Sequence, residues 1–269
     1  MKKLLLPLIV LVTGFGISFF LSQKPQEQIE DKSNLIRVSS PKPEEKVKTP
    51  LKISGEARGN WFFEASFPIK LLNEKEEVVG QAIAQAKEDW MTESFVPFEA
   101  LIDFPPTLSG KGTLVFKKDN PSGLLEFDDE LKIPVIFEPQ ESMRVKAFFN
   151  NSNLDPEFSC NNVFPVEREV VKTQSVARAA LEELLKGPTE KEMDEGFSTS
   201  LNSGVKIQSL TIENGLARID FDESLEFQVG GSCRVSAIRA QITETLRQFP
   251  TISQVLISID GRTEDILQP

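Results

Sequence analysis

Ile207-Gln-Ser-Leu-Thr-Ile-Glu-Asn-Gly-Leu-Ala-Arg-Ile-Asp-Phe221 reads as two short strands joined at Asn214-Gly215. A type I′ turn needs positive φ at both central residues, and Asn-Gly is the strongest short signal for it. A two-residue loop sets Ile212 opposite Ala217 and Leu210 opposite Ile219. The apolar side chains then share one face, as a half-buried hairpin requires. Helical periods lie on both sides of this hairpin, so the second half of the chain is predicted to be α+β.

Upstream, residues 174–186 place Val176, Ala177, Ala180, Leu181 and Leu184 on one helical face and Arg178, Glu182 and Glu183 on the other. Gly187-Pro188 stops that helix, glycine accepting the left-handed residue and proline refusing to continue. Residues 144–149 and 163–171 read as strands, with 150–159 a polar loop between them. Downstream, Ser232 is a good N-cap for a helix over 233–248, whose Val235, Ile238, Ile242 and Leu246 form one stripe with Phe249 beside it. Pro250 ends it and 255–259 returns as a strand. The predicted order is β-β-α-β-β-α-β.

Several segments here carry a resemblance: Cys160-Asn-Asn-Val-Phe-Pro-Val-Glu-Arg168, Leu184-Leu-Lys-Gly-Pro188, Ile212-Glu-Asn-Gly-Leu-Ala-Arg-Ile-Asp220, Gly230-Gly-Ser-Cys233, and Gln248-Phe-Pro250 followed by 255–261. In this order and spacing they resemble the GerMN domain of sporulation and spore germination proteins. The resemblance implies a binding or assembly module outside the cytoplasm, not a characterised enzyme.

The first half is written differently. Short apolar or alternating runs at 35–38, 51–54, 61–72, 78–86, 95–102, 113–116 and 131–137 are separated by Pro, Gly and Asn clusters. Seven such strands without a helical period predict a β-sandwich. The order of segments is similar to the immunoglobulin-like domain of bacterial spore germination proteins, and Trp61 and Trp90 are expected to serve its core. The expected organisation is therefore a membrane segment at 1–22, a linker at 23–34, an all-β immunoglobulin-like sandwich at 35–138 and an α+β GerMN-like domain at 143–269. The polar stretch Glu138-Pro-Gln-Glu-Ser142 is the expected junction.

Met1-Lys-Lys precedes an apolar run over residues 4–21, long enough to cross a bilayer at the lower limit. Gly16 and Ser18 offer small residues at a signal-peptidase spacing, yet the run continues through Leu21 and reads as an uncleaved signal anchor, or as a secretion signal if it is cut. Lys2 and Lys3 orient it with both domains outside the cytoplasm, and residues 23–34 are too polar to fold alone. The chain carries a net charge of −11, an unfavourable field for polyanions. No nucleic-acid partner is expected; envelope proteins or peptidoglycan are, with the membrane reached through the N-terminal segment.

The sequence contains no histidine and no tyrosine. Ser-His-Asp and Cys-His nucleophiles, histidine-bound zinc and tyrosine acids are thereby removed. Cys233, at the start of a helix, has the position of an activated thiolate. Two cysteines in one external module point instead to a Cys160–Cys233 disulfide closing a long loop. Ser39-Ser-Pro-Lys42 and Ser203-Gly-Val-Lys206 fit S-x-x-K, but neither lies at a helix start as that chemistry demands. Asp220 and Asp222 share a strand face, and Asp128-Asp129-Glu130 is an acidic run; neither has the alternate spacing and glycine of a calcium loop. No metal, cofactor or catalytic residue is expected.

Arg168 is the residue that most invites a ligand. Its guanidinium either clamps a carboxylate from a partner or stem peptide, or pairs internally with Glu183 or Asp220. Ser232 and Gln241 are the next candidates for a polar binding patch. The expected function is a membrane-tethered, non-enzymatic binding or assembly protein of the bacterial envelope, whose strand edges could accept a partner strand. The alternative is a wall-acting hydrolase using the Asp220–Asp222 pair.

Overall fold

The computed structural model describes residues 31–157 and 159–268, so the apolar run over residues 4–21 lies outside the described residues. Among the described residues no helix is long and apolar enough to cross a membrane. The first domain is built from β1 (Ile36–Ser40), β2 (Glu45–Val47), β3 (Leu51–Arg58), β4 (Ser66–Asn73), β5 (Val78–Ala86), β6 (Phe95–Ile102), β7 (Gly110–Lys117) and β8 (Glu130–Phe137). Period-two alternation decides which faces turn inward: Val96, Phe98, Ala100 and Ile102 of β6 are buried, as are Leu131, Ile133, Val135 and Phe137 of β8.

The strands follow one another in the order β1-β3-β6-β5-β4-β7-β8-β2. Pairing between β5 and β6 is confined to Gln85↔Glu99 and Ala86↔Phe98, so the ladder turns there and its two faces enclose one core. Trp61, Phe67, Phe98 and Phe116 fill that core, with the Phe67 and Phe98 rings edge to face at 4.9 Å. Trp61 is fully buried and Trp90 packs half-buried on the same cluster.

Two expectations need correction. The run over 61–72 is not one strand: Gly59–Trp61 forms a 3₁₀ turn, Glu64 and Ala65 take positive φ, and β4 begins only at Ser66. An eighth strand, β2, pairs parallel to β8 through Glu45↔Val135 and Val47↔Phe137. Its three residues are mostly polar, so no apolar pattern announces it.

The second domain comprises β9 (Ser142–Asn151), β10 (Phe164–Val171), α1 (Val176–Lys186), α2 (Glu190–Asp194), β11 (Phe197–Ser198), β12 (Ile207–Glu213), β13 (Leu216–Phe221), α3 (Ser232–Arg247) and β14 (Gln254–Ile259). To the predicted order the structure adds the short α2 and β11. One sheet runs β10-β9-β11, the other β12-β13-β14, with β14 parallel to β13 and α3 as the crossover. Both α1 and α3 pack on β9 and on each other. Ala177, Ala180, Leu181 and Leu184 of α1 and Val235, Ile238, Ile242 and Leu246 of α3 are buried there, as their stripes require.

The hairpin has the predicted register, Leu210↔Ile219 and Ile212↔Ala217, with a shift between Ile207 and Ser209. Asn214 and Gly215 both take positive φ. Ile212, near the turn of the outer strand, stays 41% exposed.

The junction is pinned to the first domain. Glu138 donates its backbone N–H to Val47 O at 3.0 Å, Gln140 donates to Pro106 O at 2.8 Å, and the Gln140 side chain accepts from Thr49 N at 3.1 Å.

Candidate functional site

Arg168 lies on β10 with its side chain only 13% exposed. Its two terminal nitrogens donate to the two carboxylate oxygens of Glu192 at 2.6 and 2.7 Å, a forked pair. The same guanidinium donates to Glu167 O at 3.2 Å and Gly187 O at 3.4 Å, and Glu183 approaches its Nε at 3.7 Å. Of the internal partners expected, Glu183 is present; Asp220 sits elsewhere. Glu192 is the partner that sequence reasoning missed. Thr189-x-x-Glu192 after Gly187-Pro188 was the available signal, since this is a capping box: Thr189 Oγ1 accepts from Glu192 N at 3.3 Å and Glu192 accepts from Thr189 N at 2.8 Å. Burial pushes the Glu192 pKa up, but hydrogen bonds from Arg168 and Thr189 outweigh it and hold the carboxyl below its ordinary value.

The cluster continues to the first domain. Lys186, the last residue of α1, lies 2.7 Å from Glu183 and 3.0 Å from Asp103, which follows β6. Burial pulls the Lys186 pKa down, yet Glu183 and Asp103 together leave it raised. Arg168 is thus bound within the fold, at the start of a charged chain that ends on the other domain.

Gln241 is not on the surface. It is fully buried on α3, donating to Asn150 Oδ1 at 2.8 Å and to Ser198 O at 3.4 Å, and accepting from Thr199 Oγ1 at 3.0 Å. Asn150 in turn donates to Cys160 O at 2.9 Å and Asn162 O at 3.0 Å. Cys160 and Cys233 form a disulfide, so the loop before β10 is fastened to β9 through Asn150 and to α3 through sulfur. Cys233 is no free thiolate.

Ser232 is exposed, but it is the first residue of α3 rather than its cap. Gly231 occupies the capping position at φ 86°, and no side chain caps the helix. Arg168, Ser232 and Gln241 therefore do not make one polar patch: the first is paired, the second is at a helix start and the third is in the core.

The carboxylates read as catalytic or cationic alternatives are engaged as well. Asp220 accepts from Ser258 Oγ at 2.6 Å and Gly261 N at 2.9 Å, and Asp222 from Lys206 N at 3.0 Å. Asp128 pairs with Lys117 at 3.7 Å, Asp129 with Lys32, and Glu130 with Lys132 at 3.1 Å. Among the described residues no group of three or more acidic, cysteine or histidine side chains could hold a metal ion. Neither S-x-x-K lies on a helix: Ser39 is on β1, and Ser203 precedes the Gly204 turn into β12.

Fold and site together define a two-domain protein, an all-β sandwich joined by a pinned junction to a disulfide-fastened α+β domain. Residues 35–123 match the immunoglobulin-like domain of bacterial spore germination, and residues 148–265 match the family described as sporulation and spore germination. The chain thus carries a spore-germination immunoglobulin-like domain followed by a GerMN domain. Among solved structures, it is similar to the tandem GerMN domains of the sporulation protein GerM from Bacillus subtilis. Identity is 22% over 46% of this chain and 42% of that one, with a TM-score of 0.37. The first GerMN domain of the same protein matches at 22% identity over 47% of this chain and 92% of that one, with a TM-score of 0.35. This chain spans less than half the length of the tandem structure. No curated protein matches it in sequence.

Proposed function

We propose that this protein is a membrane-tethered, extracytoplasmic binding or assembly protein of the bacterial envelope, acting in sporulation or germination without catalysing a reaction. The observation that carries the reading is the Cys160–Cys233 disulfide, which uses both cysteines of the chain. Structural disulfides persist in oxidising compartments, outside the cytoplasm. The apolar run over residues 4–21 supplies the anchor in this reading. Arg168 and Gln241, two of the three polar side chains that invited a ligand, are held by internal partners, which supports recognition through surface shape and strand edges over a preformed reaction centre. Asp220 and Asp222, the pair a wall hydrolase would use, each accept bonds that shape the ends of β13 and β14.

In-cell cross-linking of the anchored protein, followed by enzymatic digestion of the wall, tests the proposal. A discrete protein partner supports assembly, and muropeptides bound but unaltered support wall recognition. Turnover of muropeptides by the purified protein, abolished by Asp220→Asn or Asp222→Asn in a folded variant, would refute the non-enzymatic reading.

A further inference from the structure

One end of the first domain carries an unusual concentration of unburied apolar side chains. Three connections meet there: 59–65 between β3 and β4, 87–94 between β5 and β6, and 118–129 between β7 and β8. Leu125 is 85% exposed, Met91 77%, Leu124 53%, Phe127 50% and Phe63 39%. Elsewhere in this domain the exposed large apolar side chains are scattered along β5 and β6, at Val78, Ile83 and Leu101, whereas five gather at this one end.

The longest of these loops has internal hydrogen bonding that presents its tip. Asn120 donates to Leu124 O and to Asp128 Oδ1, each at 2.8 Å, and Ser122 Oγ accepts from Leu124 N at 3.2 Å. Leu125–Phe127 then forms a 3₁₀ turn with no buried residue. The three loops also brace one another. Asp119 N donates to Trp61 O at 3.1 Å, and the α-hydrogen face of Gly59 lies against the carbonyls of Trp90 and Thr92.

The described chain enters at this same end. Lys32 is paired with Asp129 at the base of the loop, and Arg58 donates both to Asn34 O at 3.1 Å and to Glu93 O at 2.9 Å. Residues 22–31 are all that separate this point from the apolar run over residues 4–21. Fully extended they span at most about 35 Å. The proposed anchor therefore holds this end of the domain, and not the distal one, beside the bilayer. Tethering at that distance gives the loop a high effective concentration at the lipid surface, so a shallow and individually weak insertion suffices. Of the acidic side chains at the tip, Asp128 and Asp129 are paired with Lys117 and Lys32, and the exposed Glu126 between Leu125 and Phe127 keeps the insertion shallow, with its carboxylate at headgroup level.

We infer that the Leu124, Leu125 and Phe127 tip, assisted by Met91, inserts into the lipid headgroup and acyl boundary and sets the first domain upright on the membrane. This rests on the anchor reading proposed above. Both native cysteines are paired, so Leu125→Cys introduces a single reactive thiol at a site exposed enough to leave the fold intact. The full chain carrying an environment-sensitive fluorophore there is reconstituted into phosphatidylcholine nanodiscs, with Lys111→Cys at the opposite end of the domain as control. The expected result is a blue-shifted emission at position 125 that nitroxide-labelled lipid quenches and aqueous iodide does not, with the reverse at position 111. In a second series the label sits at Met91→Cys, and Leu125→Asp should reduce the inserted fraction about tenfold or more.

Quenching of position 125 by iodide while the chain remains in the nanodisc overturns insertion and leaves the anchor reading standing. A blue shift without lipid quenching overturns it in favour of a protein occupant, such as a second copy. Failure of the chain to enter nanodiscs removes both readings together.

Discussion

Arg168 and Glu192 meet through two parallel hydrogen bonds of 2.6 and 2.7 Å, fastening the middle of β10 to the first turn of α2. Because α2 is only five residues long, it cannot be stable on its own, and the pair with its capping box supplies much of its order. Removing one member strands the other's charge in a mostly enclosed site. Arg168→Ala should therefore cost about 2–4 kcal/mol in urea unfolding, and Arg168→Lys, which cannot form the fork, more than half of that. A loss below roughly 0.5 kcal/mol for Arg168→Ala would place the pair among ordinary surface bridges.

The pH dependence of that pair has a definite sign. The Glu192 carboxyl is held below its ordinary value of 4.5, so the stability it contributes is complete above that value and is lost as pH falls through the lower folded-state pKa. The stability difference between wild type and Glu192→Gln should be constant from pH 7 to about pH 5 and should narrow under more acidic conditions. A difference that widened on acidification would contradict the pairing.

The disulfide spans a sequence separation of 73 residues. In the chain-entropy account, a loop of that length stabilises by about 4 kcal/mol. The Cys160→Ser, Cys233→Ser double variant should lose on the order of that amount in denaturant unfolding of the second domain. Mass spectrometry of unreduced peptides should find the two cysteines linked; two free thiols would remove the bond and the compartment argument with it.

Gln241 offers a sharper test of buried polar bonding. Gln241→Leu keeps the volume roughly constant but leaves Asn150 Oδ1 without its donor and Thr199 Oγ1 without its acceptor. The expected cost is about 1–3 kcal/mol. Added loss of order in the 152–163 loop should show as faster amide exchange at Asn162, because Asn150 orients that loop.

Gly59 is a packing test for the loop end of the first domain. A Cβ there would fall 1.9 Å from Thr92 O and 2.2 Å from Trp90 O, both backbone atoms. Gly59→Ala should destabilise by about 1–3 kcal/mol and release the half-buried Trp90, read as a red shift in its fluorescence.

Much of this was legible because short-range rules govern it. Asn214-Gly215 fixed its hairpin register through turn geometry, and the apolar stripes of α1 and α3 face the core, with Val176 and Phe249 only half-buried and Ala237, Gln241 and Thr245 buried beside the α3 stripe. What escaped depends on neighbours distant in sequence. β2 exists because β8 offers a parallel edge to Glu45–Val47, and nothing in Glu-Lys-Val says so. Ser232 had the right chemistry for a cap, but two preceding glycines moved the helix start by one residue. Gln241 sat in plain view one position before Ile242 and three after Ile238, so its place on the apolar stripe marked it as buried; its polarity suggested a surface instead. Arg168 stood out for its guanidinium on a strand beside apolar neighbours. Its carboxylate partner was supplied from within, by the capping box Thr189-x-x-Glu192.

The parallel pairing of β2 with β8 has a mechanical meaning. A pull applied between the N-terminal side of the first domain and the second domain draws these two strands in opposite directions along their length. The bonds between them, flanked by Glu44 N to Pro134 O at 2.8 Å and Glu138 N to Val47 O at 3.0 Å, are then loaded together in shear and not peeled one at a time. Single-molecule extension from the two termini should show one high-force rupture for the first domain, whereas rupture at the low force of an unzipping hairpin would exclude the clamp. Such a geometry makes the three residues of β2 a shear-loaded fastening between the two ends of the first domain.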